Sequence, residues 1–148
     1  RILHIIVRGL IKNAIENTPD GGNIEIDIND LKGHVNLCIR DYGTGIADKD
    51  REHIFSGFYP TQATDAYSTK NPYEFNAGGT GSDLLRIKTF SERLNFSVEF
   101  NSTRCKFIPT DREICPGRIS ACQSITEKSE CLNSGGSAFS IKFSVNQA

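Results

Sequence analysis

Residue types able to do chemistry gather at four places along the 148-residue chain. Asn13 stands mid-helix among apolar residues, where an amide that packing cannot match needs a polar partner. Asp41-Tyr42-Gly43-Thr44-Gly45-Ile46 sets a carboxylate just before two glycines, which taken alone is only a strand-ending turn. Gly78-Gly79-Thr80-Gly81 is a second glycine-rich turn, equally weak by itself. Cys105, Cys115, Cys122 and Cys131 crowd together with nine, six and eight residues between neighbours. Four thiolates at such spacing could close a tetrahedral Zn²⁺ or Fe–S site, although the short Cys-x₂-Cys pairs of a zinc ribbon are absent. Two disulfides and four unrelated thiols are the competing readings.

Order and spacing make the first three places specific. Leu10-Ile11-Lys12-Asn13-Ala14, Asp41 to Ile46, Ile54-Phe55-Ser56-Gly57-Phe58-Tyr59-Pro60-Thr61 and Gly79-Thr80-Gly81 follow one another. In that succession they resemble the N box, first glycine box, F box and second glycine box of the GHKL ATPase superfamily. Among its members the chain is most similar to the catalytic and ATP-binding domains of histidine kinases. The resemblance covers nearly everything except the cysteine-bearing stretch.

That resemblance implies a set of roles. Asn13 would offer its carboxamide oxygen to Mg²⁺, a hard cation that bridges phosphates. Asp41 would accept a hydrogen bond from the exocyclic amine of adenine and so discriminate against a base with a carbonyl there. Gly43, Gly45 and Ile46 would pass close to the purine, with Phe58 from the F box. Gly79, Thr80 and Gly81 would bend a lid, residues 59 to 80, onto the phosphates, with Lys70 as its cation. ATP and Mg²⁺ are the implied ligands. The implied partners are a phosphoacceptor helical domain of the same protein, dimeric at full length, and a response regulator. No phosphoacceptor box surrounds His4, His34 or His53, so no catalytic nucleophile is expected within this chain.

Several positions depart from the family pattern. Gly9 stands one turn before Asn13, where kinases commonly carry a second Asn and hydrolytic relatives a general-base Glu, which argues against a hydrolytic ATPase. Glu16 replaces a frequent phosphate-contacting Lys, Gln62 ends the F box in place of another, and Asp83 puts a carboxylate near the expected phosphates, where a like charge costs affinity. These departures support a second reading, a degenerate binding module in which the cysteine insertion senses metal or redox state.

The elements that must position these residues follow from periodicity. Leu3, Ile6, Val7, Leu10 and Ala14 form one stripe of a helix over residues 2 to 16, which Thr18-Pro19-Asp20-Gly21-Gly22 stops. Ile24, Ile26 and Ile28, then Val35, Leu37 and Ile39, alternate with polar residues as a strand pair, Cys38 being a small sheet residue. A short helix is expected near Asp48 to Phe55 and a longer one over 82 to 94. Strands follow around Phe96, Val98 and Phe100, and around Phe139, Ile141, Phe143 and Val145. The expected fold is an α/β two-layer sandwich of the Bergerat type, with a mixed, mostly antiparallel sheet and helices on one face. It forms a single domain over 1–148 with a cysteine-bearing insertion at about 101–134.

Seventeen Lys+Arg against eighteen Asp+Glu give a formal net charge of −1, which is no field for nucleic acid or an anionic membrane. No apolar run approaches the roughly 20 residues that span a bilayer. Arg1 opens directly into an apolar helix, which reads as a piece of a longer protein; the family resemblance implies a cytoplasmic domain of a protein that is membrane-anchored at full length.

Overall fold

A computed structural model describes residues 1–55, 82–110 and 112–145, the side chains of residues 82 and 83 excepted. Helix α1 (Ile2–Asn17) buries Ile6, Gly9, Leu10 and Ala14, the stripe that a 3.6-residue period requires. Thr18 ends it: its hydroxyl donates to the Ala14 carbonyl at 2.6 Å, and Pro19 cannot prolong the helix.

Strands β1 (Ile24–Asp30) and β2 (His34–Asp41) pair antiparallel with Ile26 opposite Ile39 and Ile28 opposite Leu37. Lys32 and Gly33 both have positive φ, 44° and 93°, the conformation that matches a two-residue hairpin turn to strand twist. After residue 81 come α2 (Ser82–Leu94), β3 (Ser97–Thr103), a five-residue helix α3 (Lys128–Leu132) and β4 (Gly136–Ser144). The sheet order is β1-β2-β4-β3, so the last strand slots into the middle.

Alternation sorts the sheet into two faces. Leu37, Ile39, Phe139 and Ile141 are buried on one and pack with Ile6 and Leu10 of α1 and Leu84 and Ile87 of α2. Asn36, Arg40, Lys142 and Glu99 lie on the other, where Cys38 also falls between Asp27 and Ser140. Phe55 closes one end, edge-on to Phe100 and Phe139 at centroid distances of 6.5 and 6.1 Å.

The two-layer α/β fold is the expected one; all three strand pairings among the described residues are antiparallel, and the only parallel pairing there is the isolated bridge Asp20–Arg118. Two details differ from the sequence expectation. Residues 48 to 55 form a 3₁₀ turn, Asp48–Asp50, and further turns, because five consecutive charged residues in so short a stretch do not offset the cost of helix nucleation. The insertion starts later than 101, since β3 runs to Thr103 and Thr103 still pairs with Gly136. Residues 104 to 135 are therefore an excursion from what would otherwise be the turn of a hairpin. No helix among the described residues is long and apolar enough to cross a membrane.

Candidate functional site

Asn13 is half-buried on the last turns of α1. One turn later Asn17 sends its amide nitrogen back to the Asn13 carbonyl at 2.7 Å and to the Asn13 carboxamide oxygen at 3.4 Å. Asn17 escaped the sequence reading, although its i, i+4 spacing from Asn13 places the two on one helix face. Gly9 is buried and Glu16 half-buried on the same helix.

Asp41 ends β2 on the apolar face with 2 % of its surface exposed. One of its carboxylate oxygens accepts the Gly43 N–H at 3.0 Å, a local bond that turns the chain sharply out of the strand. Neither Gly43 nor Gly45 has room for a side chain. A Cβ on Gly43 would stand 1.9 Å from the Asn17 carbonyl oxygen, and one on Gly45, where φ is +67°, 2.0 Å from the Thr103 carbonyl oxygen. The glycines thus press the loop after Asp41 against the end of α1 on one side and the end of β3 on the other. This brings Asn13, Asn17, Asp41 and the glycine turn into one neighbourhood. Tyr42 points away, its hydroxyl donating to Glu25 at 2.8 Å, a bond that, ahead of burial, raises the phenol above its usual 10.0.

A second set of polar residues supports the turn and was missed. Ser137 pairs with both Asp41 and Ser102 across the ladder, extending a polar row along the buried face. Ser102 and Ser137 share a hydrogen bond of 2.9 Å, the Ser102 hydroxyl oxygen accepts the Ile46 N–H at 2.8 Å, and Arg51 donates to the Ser102 carbonyl. Period-two alternation through Val98, Phe100 and Ser102, and through Ser137, Phe139 and Ile141, carried the signal: two hydroxyls on a face that is otherwise apolar. Asp41, Ser102, Ser137 and Gly136 help line a cavity of about 320 Å³ at the strand ends, to which α1 contributes nothing.

The excursion clasps both loops of this neighbourhood. Cys105 N–H donates to the Thr44 carbonyl at 2.7 Å, Asp20 N–H to the Gly117 carbonyl at 2.8 Å and Ile119 N–H to the Asp20 carbonyl at 3.0 Å. Within it, Cys105, Cys115, Cys122 and Cys131 all line one cavity of about 460 Å³. All five cysteines are free thiols in this structure. Burial first, and then the charges of Cys115, Cys105 and Cys122, push the Cys131 thiol up to about 11. Among the described residues no group of three or more His, Cys, Asp and Glu is arranged to hold a metal ion. A four-thiolate metal site, one of the readings the sequence left open, is not shown there, and the metal- or redox-sensing alternative gains no support. Phe58, Gln62, Lys70, Gly79, Thr80 and Gly81 lie outside the described residues, as does the side chain of Asp83.

A family model matches the chain along nearly its full length, and known proteins match parts of it. A family model described as histidine kinase-, DNA gyrase B-, and HSP90-like ATPase matches residues 1–147. Sensor protein kinase PmrB of Pseudomonas aeruginosa is 38% identical over 64 residues, 43% of this chain and 13% of that protein. Sensor histidine kinase RppB of Synechocystis is 32% identical over 99 residues, 66% of this chain and 20% of that protein. The chain therefore spans about a fifth or less of the length of these relatives. The solved structure of the mycobacterial sensor histidine kinase MprB superimposes with a TM-score of 0.57 at 18% identity, over 95% of this chain and 68% of that one, a likeness of fold.

Proposed function

Since the chain belongs to the histidine kinase-, DNA gyrase B- and HSP90-like ATPase family, we propose that it is the ATP-binding catalytic domain of a sensor histidine kinase. In that role it holds Mg·ATP while the γ-phosphoryl group passes to a histidine on a helical domain outside this chain. Asp41 carries the reading. A buried carboxylate at a strand end, beside two glycines with no space for side chains, suits a flat heterocycle whose amino group needs an acceptor.

The residues present fit the nucleotide and its metal. Asn13 provides a neutral carboxamide oxygen for Mg²⁺, adding a ligand without adding charge. When bound, the metal neutralises charge on the phosphates, and the domain's own contribution to phosphoryl transfer is positioning. In this reading Gly43, Gly45 and Ile46 would lie beside the base, while Phe58, Lys70, Gly79, Thr80 and Gly81, outside the described residues, are assigned to the nucleotide by the sequence resemblance. Gly9 leaves no carboxylate one turn before Asn13 to serve as a general base for water, which favours transfer over steady hydrolysis. The partners in this reading are the phosphoacceptor domain of a full-length homodimer and a response regulator. The domain works in the cytoplasm, on a protein whose full length is membrane-anchored.

Calorimetric titration of Mg·ATP and Mg·ADP into the native chain and into Asp41→Asn tests it, with circular dichroism as a check of folding. Saturable binding is expected, weakened about 10- to 100-fold in the variant by loss of a charged acceptor. A folded native chain that binds neither nucleotide refutes the reading.

A further inference from the structure

Residues 104 to 135 contain little regular structure, a 3₁₀ turn, Ile119–Ala121, and the five-residue α3, yet they wall a cavity of about 460 Å³. Its sides come from Pro19 after α1, from the stretch that opens at Cys105, from the middle of the excursion and from α3 with the turn behind it. A concavity assembled from stretches so far apart in sequence encloses an occupant rather than presenting a flat face, and its size lies within the range of about 300–1,000 Å³ of small-molecule sites. Phe107, Ile108, Ile119 and Ile125 give it an apolar surface. Ile114 also lines it while 74 % exposed, so apolar area stands open to water that an occupant would cover.

The polar groups of the wall are already engaged. The Ser134 hydroxyl accepts the Cys105 thiol at 3.3 Å and donates to the Cys131 carbonyl at 2.6 Å. Glu113 accepts the Thr110 N–H at 3.1 Å and the Thr110 hydroxyl as well. Arg118 faces Asp20 at 3.9 Å, the Cys115 sulfur accepts the Gly117 N–H at 3.5 Å, and Gln123 and Ser124 are exposed to water. What is left for an occupant is hydrocarbon and sulfur. Burial, which pushes the Cys131 thiol up to about 11, keeps that sulfur neutral. A charged ligand would enter such a lining without a partner, whereas an aromatic ring gains both buried area and favourable contact with polarizable sulfur.

We propose that this cavity is a binding site for a small, neutral, aromatic molecule, distinct from the nucleotide site, and that its occupancy is coupled to the loops after α1 and Asp41. Asn13, Asp41, Gly43 and Gly45 do not line it. The coupling runs through the clasp: Cys105 and Ile119, both in the wall, donate their N–H groups to the carbonyls of Thr44 and Asp20. A molecule packed against these two residues holds the clasp shut, and by linkage a nucleotide held by the clasped loops favours that molecule equally. The coupling rests on the kinase reading; binding in the cavity does not.

The probe is N-phenyl-1-naphthylamine, a neutral dye whose fluorescence rises in apolar surroundings, titrated into the reduced native chain. Saturable binding of one dye per chain is expected, at least about 10-fold tighter than that of the anionic 1-anilinonaphthalene-8-sulfonate. Ala121→Trp places a large ring at an exposed wall position and should weaken the dye about 10-fold or more, with circular dichroism as the check of folding. On the native chain, dye at ten times its Kd should slow a thiol reagent about 10-fold at Cys115 and Cys122 while leaving Cys38, on the open face of the sheet, unaffected. Mg·ADP should not displace the dye, and its own affinity should rise about 3-fold in the presence of saturating dye. Several dyes per chain, equal affinity for the anionic dye, displacement by Mg·ADP, undiminished binding by folded Ala121→Trp, or equal labelling of Cys115 and Cys122 with and without dye overturns the site. Unchanged Mg·ADP affinity overturns the coupling. Dye binding is read without nucleotide, so failure here and failure of ATP binding are separate results.

Discussion

Gly45 and Gly33 both have positive φ, +67° and +93°, but only Gly45 is hemmed in: a Cβ at Gly33 would meet nothing within 4 Å. Gly33→Ala should cost about 1 kcal/mol, the ordinary penalty of the left-handed region. Gly45→Ala must also push the chain off the Thr103 carbonyl and should cost roughly 2–4 kcal/mol in urea unfolding, with nucleotide affinity falling in parallel. Equal costs would mean that the turn after Asp41 is less tightly held than its geometry implies. Asn13 gives a second test at this scale. Asn13→Ala should weaken Mg·ATP by about 10-fold while changing metal-free ATP little, because the lost group is a metal ligand. An equal loss with and without Mg²⁺ would make Asn13 a packing residue.

At the scale of elements, the ends of β2 and β3 and the start of β4 carry a row of polar side chains, Asp41, Ser102 and Ser137, on a face that is otherwise apolar. Ser102→Ala leaves the Ile46 N–H without its 2.8 Å acceptor and should cost about 1–3 kcal/mol, measured by denaturant unfolding. Helix α3 makes a pH prediction. Glu130 accepts N–H bonds from Glu127 at 2.9 Å and from Thr126, whose hydroxyl also donates at 2.9 Å. These bonds, the Glu127 one first, hold its carboxyl below the ordinary 4.5. A depressed folded value means the contribution is fully present above the unfolded pKa and is lost as pH falls through the folded one. The amide resonances of Thr126 and Glu127 should therefore shift only below the normal glutamate range, while those of β2 and β4 stay fixed. Movement of all of them together would indicate global acid unfolding instead.

At the scale of the molecule, Thr103 and Gly136 are still paired where the excursion begins and ends, so residues 104 to 135 are added to a sheet that closes without them. Replacing them with an Asn-Gly turn should leave a cooperatively folding domain. The excised chain loses the Cys105 to Thr44 bond and the two bonds between Asp20 and the excursion. Mg·ADP affinity should then drop about 3- to 10-fold in calorimetry, since each freed group loses roughly 1 kcal/mol of fixed geometry. Unchanged affinity would show that the excursion has no part in holding the nucleotide loops.

Most of this architecture was legible in the sequence, because its signals are local. The period of α1, the alternation in β1, β2 and β4, the stop at Thr18-Pro19 and the glycine turn after Asp41 are all written within short windows, and the order of Asn13, Asp41 and the glycine turns is read directly along the chain. Binary pattern and turn chemistry fix element type before any packing occurs. What required the tertiary structure is whatever depends on residues far apart in the chain. The last strand lies between β2 and β3, the excursion clasps Asp20 and Thr44, and four dispersed thiols face one cavity. Ser102 and Ser137 owe their place beside Asp41 to cross-strand register, and the glycines after Asp41 owe their necessity to carbonyls at Asn17 and Thr103. Such relations follow from which surfaces bury each other, a choice made by the whole chain at once, and no local window contains it.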